Sequence, residues 1–136
     1  MKGWIRDPER KQMSESFGNV GPPADLLEEH GSDAIRYWAC SGRPGTDTAF
    51  DTNQFKVGRR LAIKLLNASK FALGVGEAPE GSVPTAPLDL ALLASLRAFV
   101  SEANVAFDYF DYARPLERTE SFSWSFCDAH LALVKP

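Results

Sequence analysis

The chain has 136 residues, enough for one domain or for two small pieces sharing an element, and its 44% hydrophobic content is ordinary for a globular protein. Fifteen basic and eighteen acidic residues leave a net charge of −3, which argues against a general nucleic-acid binder and confines any anion site to a local patch. No run of membrane-span length is expected, the N-terminal MKGWIRDPERK lacks the apolar core of a signal peptide, and the cytoplasm is the default compartment.

Residues 3–7 (GWIRD) read as a short strand and 8–10 as a turn. Residues 11–20 are polar and small, with no helical or strand period. A surface loop explains them, and so does a phosphate-contacting loop built from Ser hydroxyls, Gly18 and backbone N–H groups. Pro22-Pro23 opens a short helix over 24–30 that Gly31 ends. Ser32 is placed as the cap of the next, 33–40, with Ile35, Trp38 and Ala39 on its buried side. Residues 41–51 form a Gly/Pro/Thr-rich connection with one extended piece near 48–50.

The stretch 51–73 is the most informative. Val57, Leu61, Leu65, Ala68 and Ala72 recur at helical spacing, and Asp51 is placed as N-cap with Gln54 reaching back to it. The resulting helix would be roughly 30 Å long. Its other face carries Lys56, Arg59, Arg60, Lys64, Asn67 and Lys70 within roughly 140° of arc. Charge is divided accordingly: −2 over residues 1–50, +4 over 51–73 and −5 over 74–136. Surface helices usually alternate sign for mutual support. This one does not, so it suits an anion such as nucleic-acid phosphate, although a merely solvated face has the same composition.

A Gly/Pro-rich loop over 74–86 leads to a second long helix, 88–110, with Leu92, Leu96, Phe99, Ala103, Ala106 and Phe110 on one face. Asp111 caps a third helix running to Val134, with Pro115 near its first turn. That helix has one apolar face of Phe122, Phe126, Ala129 and Leu133, and another of Trp124, Cys127, Leu131 and Val134. Such a stripe reads as core before it reads as a ligand box. Cys127 and His130 could face one ion, but His30 and Cys40 are remote in sequence, and no metal site is expected. Cys40 and Cys127 read as reduced, buried thiols. No triad order, Gly-rich phosphate fingerprint or paired carboxylates stand out.

Longer patterns go further. GWIRDPERKQMSESFGNV resembles the class I aminoacyl-tRNA synthetase segment that carries the KMSKS signature. ADLLEEHGSDAIRYWACSGRPGTDTAFD and the following LLNASKF resemble the valyl-tRNA synthetase family, and SFSWSFCDAHLALVK is similar to its FxWxFCDxYLELVK helix. The resemblance covers essentially the whole chain. It implies a mainly α fold: a helical bundle of the class I anticodon-binding type over 51–136, preceded by a small α/β piece over 1–50 with the signature loop and stem-contact region. It also implies a fragment of a longer enzyme, lacking the HIGH-bearing catalytic and editing domains upstream and further helices downstream.

The resemblance breaks at the signature. In place of KMSKS stand Gln12, Met13, Ser14, Glu15 and Ser16, followed by Gly18 and Asn19. In the family the second lysine stabilises the phosphates of ATP, where Glu15 would set negative charge against negative oxygens. Losing such a cation removes about a thousandfold in rate. Lys11 could enter the register only by distorting the loop. At 130 the family's Tyr is His, and Pro115 replaces a helix former.

Three roles stay open: a non-catalytic module binding tRNA weakly, a piece complementing a separate catalytic chain, and a remnant acting as a self-associating helical protein. The open Trp124–Cys127–Leu131–Val134 face predicts pairing of two copies. No cofactor is expected for this chain alone, ATP belonging to the parent family. Alone it should neither activate valine nor charge tRNA; valine-dependent pyrophosphate exchange above a heat-killed control would refute this.

Overall fold

The computed structural model describes residues 3–134 and is mainly helical. Strand β1 (Ile5–Arg6) lies parallel to β2 (Thr48–Ala49), pairing Ile5 with Thr48 and Arg6 with Ala49. A parallel pair needs a long crossover. Here α1 (Pro23–His30) and α2 (Ser32–Ser41) provide it. Pro23 sits in the first turn of α1, and Gly31, at φ 83°, ends it by giving its N–H to the Leu27 carbonyl. Ser32 is the first residue of α2 rather than its cap, because Gly31 already occupies that place. Asp47 staples the sheet: Oδ1 accepts from the Trp4 N–H (2.9 Å) and Oδ2 from the Arg6 Nε (2.6 Å). The Trp4 N–H first, and then Arg6, hold the Asp47 carboxyl below the usual carboxylate range.

Helix α3 (Thr52–Gly74) runs where the periodicity placed it, and the Asp51 carboxylate accepts from the Asn53 N–H at 2.8 Å. Its buried side differs from the expected stripe. Phe55, Gly58 and Leu61 are buried, Val57 and Ala68 half-buried, and Leu65 and Ala72 exposed. The buried residues of α3 lie in its N-terminal half, and the helix packs mainly against α2 and α1. Phe55 is 0% exposed and lies 5.0, 5.6 and 5.5 Å from the His30, Trp38 and Phe50 rings. On α2, Ala34 is the buried residue, Ile35 and Trp38 are half-buried, and Ala39 is exposed, contrary to its expected place inside. Cys40 is exposed and Cys127 half-buried, so only the free state of these thiols agrees with the sequence expectation.

Helix α4 (Pro87–Asp108) packs on α5 (Ala113–Ser125), with Phe99 stacked on Phe122 at 5.6 Å. It stops two residues before the predicted end. Phe110 adopts φ 57°, its N–H reaches the Phe107 carbonyl (2.9 Å), and the Asp111 N–H reaches that of Ala106 (2.9 Å). This is the left-handed helix stop usually made by glycine, here made by a bulky residue. Asp111 then accepts the Arg114 N–H at 3.2 Å, and Pro115 is buried in the first turn of α5, as expected.

The third helix is not uninterrupted. A π turn, Phe126–His130, joins α5 to α6 (Leu131–Val134), and the Leu131 N–H closes onto the Phe126 carbonyl. One extra residue in the turn rotates everything after it by about 100°. Leu133, assigned to the packed face, is therefore 70% exposed, and Leu131, assigned to the open one, is 7% exposed. Trp124 is half-buried under Lys64, so the face expected to be open is covered; the side chain of Val134 lies outside the described residues.

The open apolar surface is on α4 instead. Leu96, expected on the packed stripe, is exposed, and so are Leu93, Val100 and Phe107 beside it. By length and composition α4 is also capable of crossing a membrane, which corrects the expectation that no such run exists. The chain exposes 10177 Å² at a mass of 15.0 kDa. A compact monomer of that mass exposes about 7,000 Å².

Since Phe110 is 68% exposed and holds a left-handed conformation, Phe110→Gly should raise stability by about 0.5–1 kcal/mol. A thermal melt shifted up by about 3 °C is expected, and an unchanged or lower midpoint would count against strain at this corner.

Candidate nucleic-acid interface

The loop after β1 is closed by its own hydrogen bonds. The Met13 N–H meets the Ile5 carbonyl (2.9 Å), and Gln12 bridges back to Arg6. Ser14 caps a 3-10 turn, Glu15–Phe17; its Oγ accepts the Ser16 N–H at 3.3 Å and lies 2.8 Å from the Ser16 Oγ. Phe17 donates to the Ser14 carbonyl and Gly18, at φ 65°, to that of Glu15, both at 3.0 Å. Asn19 ties the ends together. Its Oδ1 accepts the Ser14 N–H (2.9 Å), while Nδ2 donates to Asp7 Oδ2 and to the Gln12 carbonyl (3.1 Å each). The backbone N–H groups of Ser14, Ser16, Phe17 and Gly18 are thus engaged within the loop rather than turned out to a ligand.

Asp7 locks the other side, accepting the Lys11 N–H at 2.8 Å; that bond, more than the Asn19 amide, holds its carboxyl below the usual range. Lys11 in turn pairs through Nζ with Glu9 at 2.7 Å. Its main chain and side chain are thus both bonded within the loop. Glu15 is exposed.

The basic residues of α3 divide into two groups. Arg59 donates to the Glu29 carbonyl at 3.3 Å, fastening α3 to α1. Lys64 lies on the opposite flank, 2.6 Å from Asp128 Oδ1 and 3.7 Å from the centroid of the Trp124 ring, its side chain only 24% exposed. Between these flanks Lys56, Arg60, Asn67 and Lys70 are exposed, within about 80° of arc at 100° per residue. Among the described residues Lys56, Arg60 and Lys70 form no ion pair. They span about 21 Å of helix.

A family model described as tRNA synthetases class I (I, L, M and V) matches residues 1–51. Valine–tRNA ligases match nearly the whole chain: 58% identity for that of Salinispora tropica, 56% for Thermobifida fusca and 44% for Bifidobacterium longum, each over 99% of this chain. The chain belongs to the valine–tRNA ligase family. It spans 16% of the length of these relatives.

A second cluster joins α2 to α5. The Tyr37 hydroxyl donates to Glu120 Oε2 (2.7 Å), and the Trp124 Nε1 to Glu120 Oε1 (3.3 Å). Burial first, and the Glu120 carboxylate second, push the Tyr37 hydroxyl well above the usual phenol range. Sequence reasoning missed this network, because its members are 83 residues apart and none is unusual for its helix.

Proposed function

We propose that this segment is a tRNA-contacting module of the valine–tRNA ligase type, in which α3 lies along the RNA backbone and the segment supplies no catalysis by itself. The observation that carries the reading is the row of unpaired cations, Lys56, Arg60 and Lys70, with Asn67 among them and no acidic residue on the helix after Asp51. Phosphate binding needs charge that is free to replace counterions. Arg59 and Lys64 contribute less, being committed to Glu29 and Asp128. Glu15 and the closed loop weigh against a part in ATP chemistry, and so against the complementing-piece alternative.

Three phosphate contacts give a salt slope of roughly −2 to −3. Titration with valine-accepting tRNA across salt should show that slope, Lys56→Glu with Arg60→Glu should abolish binding, and Arg118→Glu, whose partner is Glu102 at 3.4 Å, should change it little. Affinity unaffected by the double reversal would mean that the α3 face is only solvated.

A second reading concerns the open side of α4. An exposed area about 3,000 Å² above that of a compact monomer is more than a standard interface takes from one partner, about 800 Å². Pairing of two copies through Leu93, Leu96 and Val100 would cover part of it. Sedimentation at micromolar concentration should show a dimer that Val100→Glu, which is 46% exposed and so tolerates the change, converts to monomer. A monomeric wild-type protein would end this reading.

A further inference from the structure

A cleft of about 380 Å³ opens at the end of the β1–β2 pair, away from α3's cationic stripe. Its walls come from three distant parts of the chain: Trp4 beside β1, Trp38 with Arg43 at the end of α2, and Tyr112 at the α4–α5 corner. Two of the aromatic walls are unusually open, Trp4 at 53% and Tyr112 at 43% exposure. Trp38 is fixed, its Nε1 donating to the Ala49 carbonyl at 2.9 Å and its ring edge-on to Phe50 and Phe55. The Trp4 main chain is fixed too, through Asp47 and the Thr48 N–H. Gly3 closes the wall: a Cβ there would stand 1.8 Å from the Thr46 carbonyl oxygen. The cleft is therefore framed by fixed main chain and by the fixed Trp38 ring, with the Trp4 and Tyr112 side chains exposed at its mouth.

One cation stands in it. Arg43 lines the cleft and is 55% exposed, with long contacts of 3.4 Å to Glu117 and 3.9 Å to Asp111. Aromatic faces accept any planar ring, and a guanidinium at the same mouth accepts an oxyanion. A single unpaired nucleotide has both groups, a base of the right size for the cleft and one phosphate beside it. An apolar peptide side chain or an acyl chain would use the aromatic walls but not Arg43, which keeps only its long contacts to Glu117 and Asp111.

We propose that the Trp4–Trp38–Tyr112 cleft holds one unstacked nucleotide, its base against Trp4 and Tyr112 and its phosphate on Arg43. No order of bases is specified, because stacking reads the π face and not the edge. The inference is separate from the α3 reading, since the two surfaces share no residue and each is tested by variants the other does not contain.

The probe is adenosine 5′-monophosphate, with ribose 5-phosphate as the control that lacks a base. The three tryptophans provide the readout through their indole N–H resonances, because Trp124 is bonded to Glu120 far from the cleft in sequence and does not line it. The nucleotide should saturably shift the Trp4 and Trp38 indoles and leave Trp124 unmoved, while ribose 5-phosphate shifts none of them. Trp4→Ala should weaken binding, followed at Trp38, by at least about tenfold, and Trp4→Phe should restore it to within about threefold. Arg43→Ala should weaken binding a few-fold and flatten its salt dependence. Equal shifts at Trp124, an equal response to ribose 5-phosphate, wild-type affinity in Trp4→Ala with intact Trp38 and Trp124 dispersion, or no binding at millimolar nucleotide would each overturn the proposal. tRNA binding that survives the α3 reversal while the nucleotide still binds would sink the α3 reading alone, and tRNA binding lost on that reversal while wild-type protein binds no nucleotide would sink the cleft proposal alone.

Discussion

The contact between Tyr37 and Gly58 is the constraint on which the rest of the arrangement depends. A Cβ at position 58 would lie 2.4 Å from the Tyr37 Cβ, closer than any side chain permits. Glycine in the middle of a helix costs about 1 kcal/mol relative to alanine. Here that cost is accepted at a crossing where α2 and α3 come together backbone to side chain. From this crossing Phe55 enters the aromatic cluster of His30, Trp38 and Phe50, and the Tyr37 hydroxyl reaches across to Glu120 on α5. One short residue therefore positions the sheet-side core, the central helix and the last long helix together.

The same crossing explains how α3 divides its basic residues. Because α1 lies on one flank and the α5 end on the other, the outermost cations find partners within the protein, Arg59 on the Glu29 carbonyl and Lys64 between Trp124 and Asp128. Lys64 gains a charge partner and an aromatic face at once, so its charge supports the fold. The middle of the stripe keeps its charge for solution. A helix that looked uniformly basic is in fact part clamp and part surface, and only neighbouring elements could assign the parts.

Helix α4 and the end of the chain show the consequence of a single inserted residue. The π turn at Phe126–His130 turns Leu131 inward, and it brings His130 Nε2 to 3.3 Å from Asp89 on α4. With that, Trp124, Cys127 and Leu131 are covered within the chain, while Ala129 and Leu133 on the neighbouring face stay exposed. A flank of α4 stays open, as do Ile63, Leu66 and Leu73 on α3, in a chain that spans 16% of its relatives' length.

The sequence by itself determined the helices, their starts and the family. Those follow from local chemistry: the 3.6-residue period, Asp51 and Asp111 as helix-start acceptors, Pro23 and Pro115 in first turns, Gly31 as a stop, and long patterns such as GRPGTDTAFD. Only the tertiary structure decided which faces are inside. Leu65 and Leu131 were misassigned because burial on a helix depends on which neighbour lies against each half, and on register, which a π turn shifts without any mark in the sequence. Phe110 could not be read as a helix stop, since nothing local favours a bulky residue in the left-handed region; the packing of α4 on α5 imposes the turn. The Tyr37–Glu120 bond and the Trp4–Trp38–Tyr112 cleft join residues tens of positions apart, and such convergence is a property of the folded chain alone.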